Sequence, residues 1–407
     1  MKRNTVLVVL VALAAVVLFF NPLKLLQNRG AAARRPSADP ALLDPLLRFA
    51  QSSYQAPEDY VIQTLADHDI VFLGEFYKIR QNVKLVSALI PRLAAAGVRN
   101  LGFEYALSDS QKDIDALLAS PSWDETRARG ILIDWIPTWG YREYIDILEA
   151  AWKVNRGLPE GSPPFRVVGL NVRQNWDLLK TDRDARNPET VQRILSHGIP
   201  DQHMAQVIER ELTSKGEKAL VFCGIQHSFT RYRSREYEKQ AAEMKLGETR
   251  RAGNIVFDRI GGRAFTVMLH APWPDKNERT GLAYAAGGAI DALIDGLPED
   301  RKEAGYDTAG TPLGALPVTS ASYLSGYTRL ALSDLCDGYV IQGPLADYQV
   351  VTPIADFVPA DKAEQAIRNF PGVKPTSLTL KDVNQAIVED VKAVDGALAP
   401  FRGKRAR

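Results

Sequence analysis

The chain has 407 residues, 45% of them hydrophobic and 24% charged, which supplies at least one full-sized core and excludes a disordered or collagen-like chain. Fifty Lys and Arg against 49 Asp and Glu leave a net charge of +1, with no basic excess to recognise a phosphate backbone, so nucleic acid is set aside as a partner. Two cysteines, Cys223 and Cys336, exclude a disulfide scaffold and a thiolate-rich metal site, so any metal would have to be held by carboxylates and the five histidines.

Behind Lys2 and Arg3, the run Thr5–Phe20 is almost wholly Val, Leu, Ala and Phe. Residues 1–26 therefore read as a signal or anchor segment that tethers the chain to a membrane, with the rest on the periplasmic or extracellular side. Small, basic and Pro-containing residues from 27 to 40 read as a linker. The folded α/β domain is expected over 41–360, followed over 361–407 by one amphipathic helix (Leu380, Val383, Ile387, Val391, Val394) and a basic tail.

Within the domain, short Val/Ile/Phe/Leu runs predict strands at 70–73, 101–103, 166–170, 219–223, 265–269 and 339–341. Helical patterns lie between them. Ile79, Val83, Val86, Ile90 and Leu93 share one helix face; Asp201 is placed to cap a helix carrying Met204, Val207, Ile208 and Leu212. Alternation of strand and helix predicts an α/β fold with a mainly parallel sheet and flanking helices.

The chemistry concentrates at strand ends. Glu75 closes the first strand and Glu104 the second; sequential parallel strands joined by one helix are expected to be neighbours, with both carboxylates on the ligand-binding edge of the sheet. A carboxylate at the end of a buried apolar strand is costly unless paired or used. The strand 218–223 runs through Gly224 to His227, which places an imidazole at the same edge. Glu75, Glu104 and His227 form a candidate acid–base set acting on water, or three ligands for a divalent ion. His270, after the strand 265–269, is a further candidate for that edge, while His68, His197 and His203 read as structural or unpartnered. The aromatic segment Trp135–Tyr141, with Trp139 at its centre, is placed to roof a pocket and stack on a flat ligand.

The segments LGEFYKIRQN (73–82), GFEYA (102–106) and CGIQHS (223–228), in this order, resemble the superfamily that contains the erythromycin esterases, the ChaN haem-binding uptake proteins and the Tiki-like metalloproteases. The resemblance spans about 67–269 and implies the ChaN/erythromycin-esterase-like α/β fold. It aligns Glu75, Glu104 and His227 with that group's two acidic positions and its late histidine. The group usually carries a histidine two or three residues after the first glutamate; here those positions are Tyr77 and Lys78. What the resemblance implies is thus a hydrolase of a small ester, lactone or amide with a degenerate first motif. Its alternative is a non-catalytic protein that binds haem or another small ligand, with Tyr77 a phenolate ligand to iron and Arg80 holding an anionic group. The cofactor is left open between none, haem and a divalent metal, and no metal ligand is assigned.

Overall fold

A computed structural model describes residues 39–278, 281–374 and 377–402. The apolar N-terminal run, most of the linker and the end of the basic tail lie outside the described residues. No described helix is long and apolar enough to cross a membrane.

The described strands are β1 (Ile70–Glu75), β2 (Asn100–Leu107), β3 (Arg166–Asn171), β4 (Ala219–Gly224), β5 (Ala264–Leu269), the short β6 (Trp273–Pro274) and β7 (Leu282–Ala283), then β8 (Glu303–Asp307) and β9 (Gly338–Gln342). Seven of them form one sheet in the order β3-β2-β4-β1-β5-β9-β8, parallel throughout except for β8, which runs antiparallel to β9 at the edge. Helices cover both faces, so the fold is α/β with a mainly parallel sheet. The edge strand β8 escapes the sequence pattern because Glu303-Ala304-Gly305-Tyr306-Asp307 lacks the β-branched residues that mark the other strands.

Two expectations are corrected. β1 and β2 are not neighbours: β4 lies between them, pairing with β1 from Ile70↔Ala219 to Glu75↔Gly224 and with β2 from Leu101↔Leu220 to Phe103↔Phe222. The chain first steps away from β1 to lay down β2 and β3, and β4 then fills the gap. Nor does Glu104 end its strand, because β2 continues to Leu107.

Strand alternation divides the core. Val71, Leu73, Leu101, Phe103, Leu220 and Phe222 face the helices Arg80–Ala95 and Arg142–Gly157, meeting Val83, Val86, Leu89, Ile147 and Leu148. Ile70, Phe72, Val168, Leu170, Val221 and Cys223 face the opposite way, onto Met204, Val207 and Ile208 of the helix Pro200–Glu211 and Ile255 of the helix Ala252–Ile260. Each of the large aliphatic or aromatic side chains contributes roughly 1.5–3 kcal/mol on burial. A one-residue slip would turn every one to the wrong face, so the register that positions the strand ends is strongly specified. The helix Leu380–Leu398, opened by a capping box between Thr379 and Asp382, sends Val383, Ala386, Ile387 and Val391 into the first of these cores. The C-terminal segment is thus part of the domain's packing.

Candidate functional site

Because β4 is wedged between β1 and β2, the ends of three strands meet. Glu75 lies opposite Gly224 in the parallel register. The short helix Ile225–Ser228 then folds back over β1, which it can do because Gly74 has no side chain: a Cβ there would collide with Ser228 Oγ and Ile225. That turn delivers His227 to the edge.

Alternation also decides which face each glutamate serves. Glu75 follows Val71 and Leu73 onto the side of the Arg142–Gly157 helix, where its Oε1 accepts hydrogen bonds from the Tyr105 and Tyr144 hydroxyls, the latter at 2.6 Å. Its Oε2 is buried without a hydrogen-bond partner. Burial dominates the two tyrosine bonds and the Lys78 charge, and with Glu104 nearby pushes the Glu75 carboxyl up to about 8. At neutral pH Glu75 therefore holds its proton.

Glu104 belongs with Gly102 to the opposite face. Its Oε2 accepts from the Gly224 N–H at 2.7 Å and its Oε1 from the Tyr77 hydroxyl at 2.9 Å, and His227 Nε2 lies 3.6 Å from Oε1. The other ring nitrogen, Nδ1, is 2.7 Å from Asp201 Oδ1. Asp201 in turn accepts from the Ala252 N–H at 2.9 Å and from Arg251 Nη1 at 3.0 Å, and that guanidinium stacks 3.4 Å from the Tyr237 ring centroid. Burial works against the Asp201 charge, but His227, Arg251 and the Ala252 N–H together outweigh it and hold the carboxyl down at about 2. Burial also opposes charge on His227; Asp201 and Glu104 overcome it and raise the imidazole above its ordinary value. An ionised Asp201 fixes the proton on Nδ1 and leaves Nε2 facing Glu104.

Tyr77 joins the two halves. Its ring meets Tyr105 and Trp139 edge-on, at 6.2 and 5.5 Å between centroids, on the Glu75 side, while its hydroxyl reaches Glu104. Gly224 makes room for it, since a Cβ at that position would collide with the phenol oxygen. Tyr77 is half-buried, whereas Glu75, Glu104 and His227 are buried, so the phenol covers the set. Trp139, buried at 2% exposure, stacks on Tyr105 at 5.4 Å and contacts Tyr141 and Tyr144. Its ring, expected to stack on a flat ligand, is instead packed among the protein's own tyrosines.

The remaining candidates lie elsewhere. Arg80 is tied to Glu143 at 3.0 Å, to Thr352 at 2.9 Å and to Gln349, on the wall of a separate cleft of about 490 Å³ that Arg402 also lines. His270 does follow β5 to the same sheet edge, but its partners are the Tyr339 hydroxyl at 2.9 Å and Asp291 at 3.7 Å. His68 bonds the Thr64 carbonyl through Nδ1, and His203 is corrected from unpartnered to a contact with Ser108 Oγ at 2.8 Å.

Neither cofactor class suits this donor set. Both Glu104 oxygens already take protein donors, and among the described residues no three His, Cys, Asp or Glu are grouped to hold a metal ion. For haem, the Tyr77 phenol expected to ligate iron donates instead to Glu104, with its ring packed against Tyr105 and Trp139.

Sequence reasoning missed Asp201, Arg251, Tyr105 and Tyr144. It assigned Asp201 to a helix cap, an ordinary role for Asp before an apolar-periodic run. Pro200 was the available signal: proline favours the first helical position, so the cap is Ile199 and Asp201 lies inside the first turn, its side chain free to turn to His227. Tyr105 could be counted two residues beyond Phe103 on the same strand face. Arg251 and Tyr144 carry no such local mark.

No protein-family model matches the chain, and no curated protein matches it. Among solved structures it is similar to a succinoglycan biosynthesis protein (TM-score 0.49, 11% identity, 74% of this chain and 97% of that one). It is similar also to an erythromycin esterase mutant in its open conformation (TM-score 0.42, 13% identity, 76% and 96%). A third is ChaN of Campylobacter jejuni, in a structure showing cofacial haem binding (TM-score 0.34, 14% identity, 53% and 86%). At these identities the likeness is one of fold.

Proposed function

We propose that the protein is a hydrolase of a small ester, lactone or amide, exported and tethered to the membrane through its N-terminal segment. The observation that carries the chemistry is the acid–base pairing: an imidazole oriented by Asp201 beside Glu104, with Glu75 at the adjoining strand end and still protonated at neutral pH. In this reading His227 Nε2 takes a proton from water, Asp201 fixes the tautomer and bears the imidazolium that results, and Glu104 holds the water. Glu75 gives its proton to the leaving group. The substrate reaches them when Tyr77 swings off Glu104, which sacrifices a hydrogen bond to a carboxylate, about 1.5–3 kcal/mol, together with the edge-on ring contacts to Tyr105 and Trp139.

A panel of chromogenic esters and lactones tests this. His227→Ala should reduce turnover roughly a hundredfold or more. The wild-type rate should fall at low pH as His227 is protonated, below its raised value, and at high pH as Glu75 ionises near 8. Hydrolysis that survives His227→Ala unchanged overturns the assignment. Haem titration of the wild type and Tyr77→Phe separates the binding alternative: a haem spectrum that depends on Tyr77, without hydrolysis, would replace the proposal.

A further inference from the structure

The C-terminal helix Leu380–Leu398 reaches this site through one ion pair. Lys78, directly after Tyr77, is buried, and its ammonium pairs with Asp390 of that helix. The same ammonium lies 4.4 Å from the centroid of a Trp139 ring and 5.7 Å from that of Tyr141, whose hydroxyl donates to Asp390 at 3.1 Å. Lys78 holds φ +67°, a left-handed conformation that is strained for a residue with a Cβ, so its surroundings must over-determine it. They do so through the backbone as well. The Lys78 carbonyl accepts from the Val351 N–H at 3.0 Å, and its N–H donates at 3.3 Å to the Tyr144 oxygen, the same hydroxyl that donates to Glu75. The two-residue turn thus reaches both carboxylates, Glu104 directly through the Tyr77 hydroxyl and Glu75 by way of the Tyr144 hydroxyl that the Lys78 N–H bonds.

We propose that Asp390 is a positioning residue of the acid–base site: by pairing with Lys78 it holds the Tyr77–Lys78 turn across the two glutamates and screens the Lys78 charge from Glu75. This rests on the reading of Glu75 as the proton donor. The ionisable groups that face Glu75 are Tyr105 and Glu104 from β2, Tyr144 from the Arg142–Gly157 helix, Cys223 from β4, and Tyr77 and Lys78 from the turn. Lys78 alone among these is a cation. Its attraction favours the ionised carboxylate, and a carboxylate partner in contact with it cancels most of that field at Glu75. A helix more than three hundred residues along the chain thereby helps to keep the acid protonated.

The test is a direct titration of Glu75 in the full-length protein. Its protonated carboxyl C=O infrared band, identified by its loss in Glu75→Gln, is followed from pH 6 to 10 alongside the ester assay. In Asp390→Asn the unscreened Lys78 should lower the midpoint by roughly half to one pH unit, and in Lys78→Met loss of the cation should raise it. Lys78→Arg should stay near wild type. The double variant Asp390→Asn/Lys78→Met removes both charges, so it buries no unpaired ion and keeps the test open if a single variant fails to fold; its midpoint should return close to that of the wild type, and a displacement as large as either single variant is expected to show would overturn the proposal. Simple loosening of the fold would move both single variants the same way. Shifts of one sign in both single variants, or an unmoved midpoint in Asp390→Asn or Lys78→Met when folded, overturn the proposal. The band titrates whether or not an ester is turned over: opposite shifts without hydrolysis would sink the hydrolase reading alone, and hydrolysis without the shifts would sink this one alone.

Discussion

Replacing Glu75 by Gln should change how stability depends on pH, by an amount that follows from its burial. The folded carboxyl titrates near 8 against an ordinary 4.5, so between these values the native state keeps a proton that the unfolded chain releases. Stability associated with this group is therefore complete below pH 4.5 and is lost as pH rises through 8. At roughly 1.4 kcal/mol per pH unit, the full loss is about 5 kcal/mol, of which about 3 to 4 kcal/mol falls between pH 5 and pH 8. A glutamine has no such dependence. It keeps an oxygen for Tyr105 and Tyr144, while its amide nitrogen takes the place of the unpartnered Oε2, at a pH-independent cost of about 1–3 kcal/mol. Glu75→Gln should accordingly be the less stable protein at pH 5 and the more stable at pH 8. Urea unfolding of both proteins, followed by far-UV circular dichroism across this range, gives the difference, in which other titrating groups cancel. A difference that stays constant within about 1 kcal/mol would refute the claim that burial keeps this carboxyl protonated.

Gly224→Ala places a methyl group where the Tyr77 phenol lies; it should destabilise the fold by about 1–3 kcal/mol and alter the fluorescence of Trp139, against which Tyr77 packs. An unchanged Tm and spectrum would show that Tyr77 does not rest on Gly224. Cell fractionation should recover the full-length chain with membranes, its α/β domain accessible to protease from the non-cytoplasmic side. A full-length protein found soluble in the cytoplasm would remove the tether.

Much of the site could be read because strand ends are local features. Apolar runs ending in Glu75, and in Gly224 followed three residues later by His227, are visible in a dozen residues, and the chirality of strand–helix–strand units sends parallel strand ends to one edge. The parity of Glu75 and Glu104 was countable too: Glu75 lies an even number of residues from Val71 and Leu73, and Glu104 an odd number from Leu101 and Phe103. What escaped was long range. His227 is oriented by a residue 26 positions away, Asp201, which is held by Arg251 at a separation of 50, and Glu75 by Tyr144 at a separation of 69. None of these pairs leaves a periodic trace.

By itself, then, the amino-acid order determined the α/β class, most of the strands, and the placing of Glu75 at one strand end and His227 just past another, because propensity and periodicity act over one or two turns of chain. Only the tertiary structure decided that β4 lies between β1 and β2, that Tyr77 covers Glu104, and that Asp390 of the last long helix meets Lys78. Strand order depends on which pairing buries the most apolar surface across the whole sheet, and a buried charge finds its partner only after that packing has brought distant segments together.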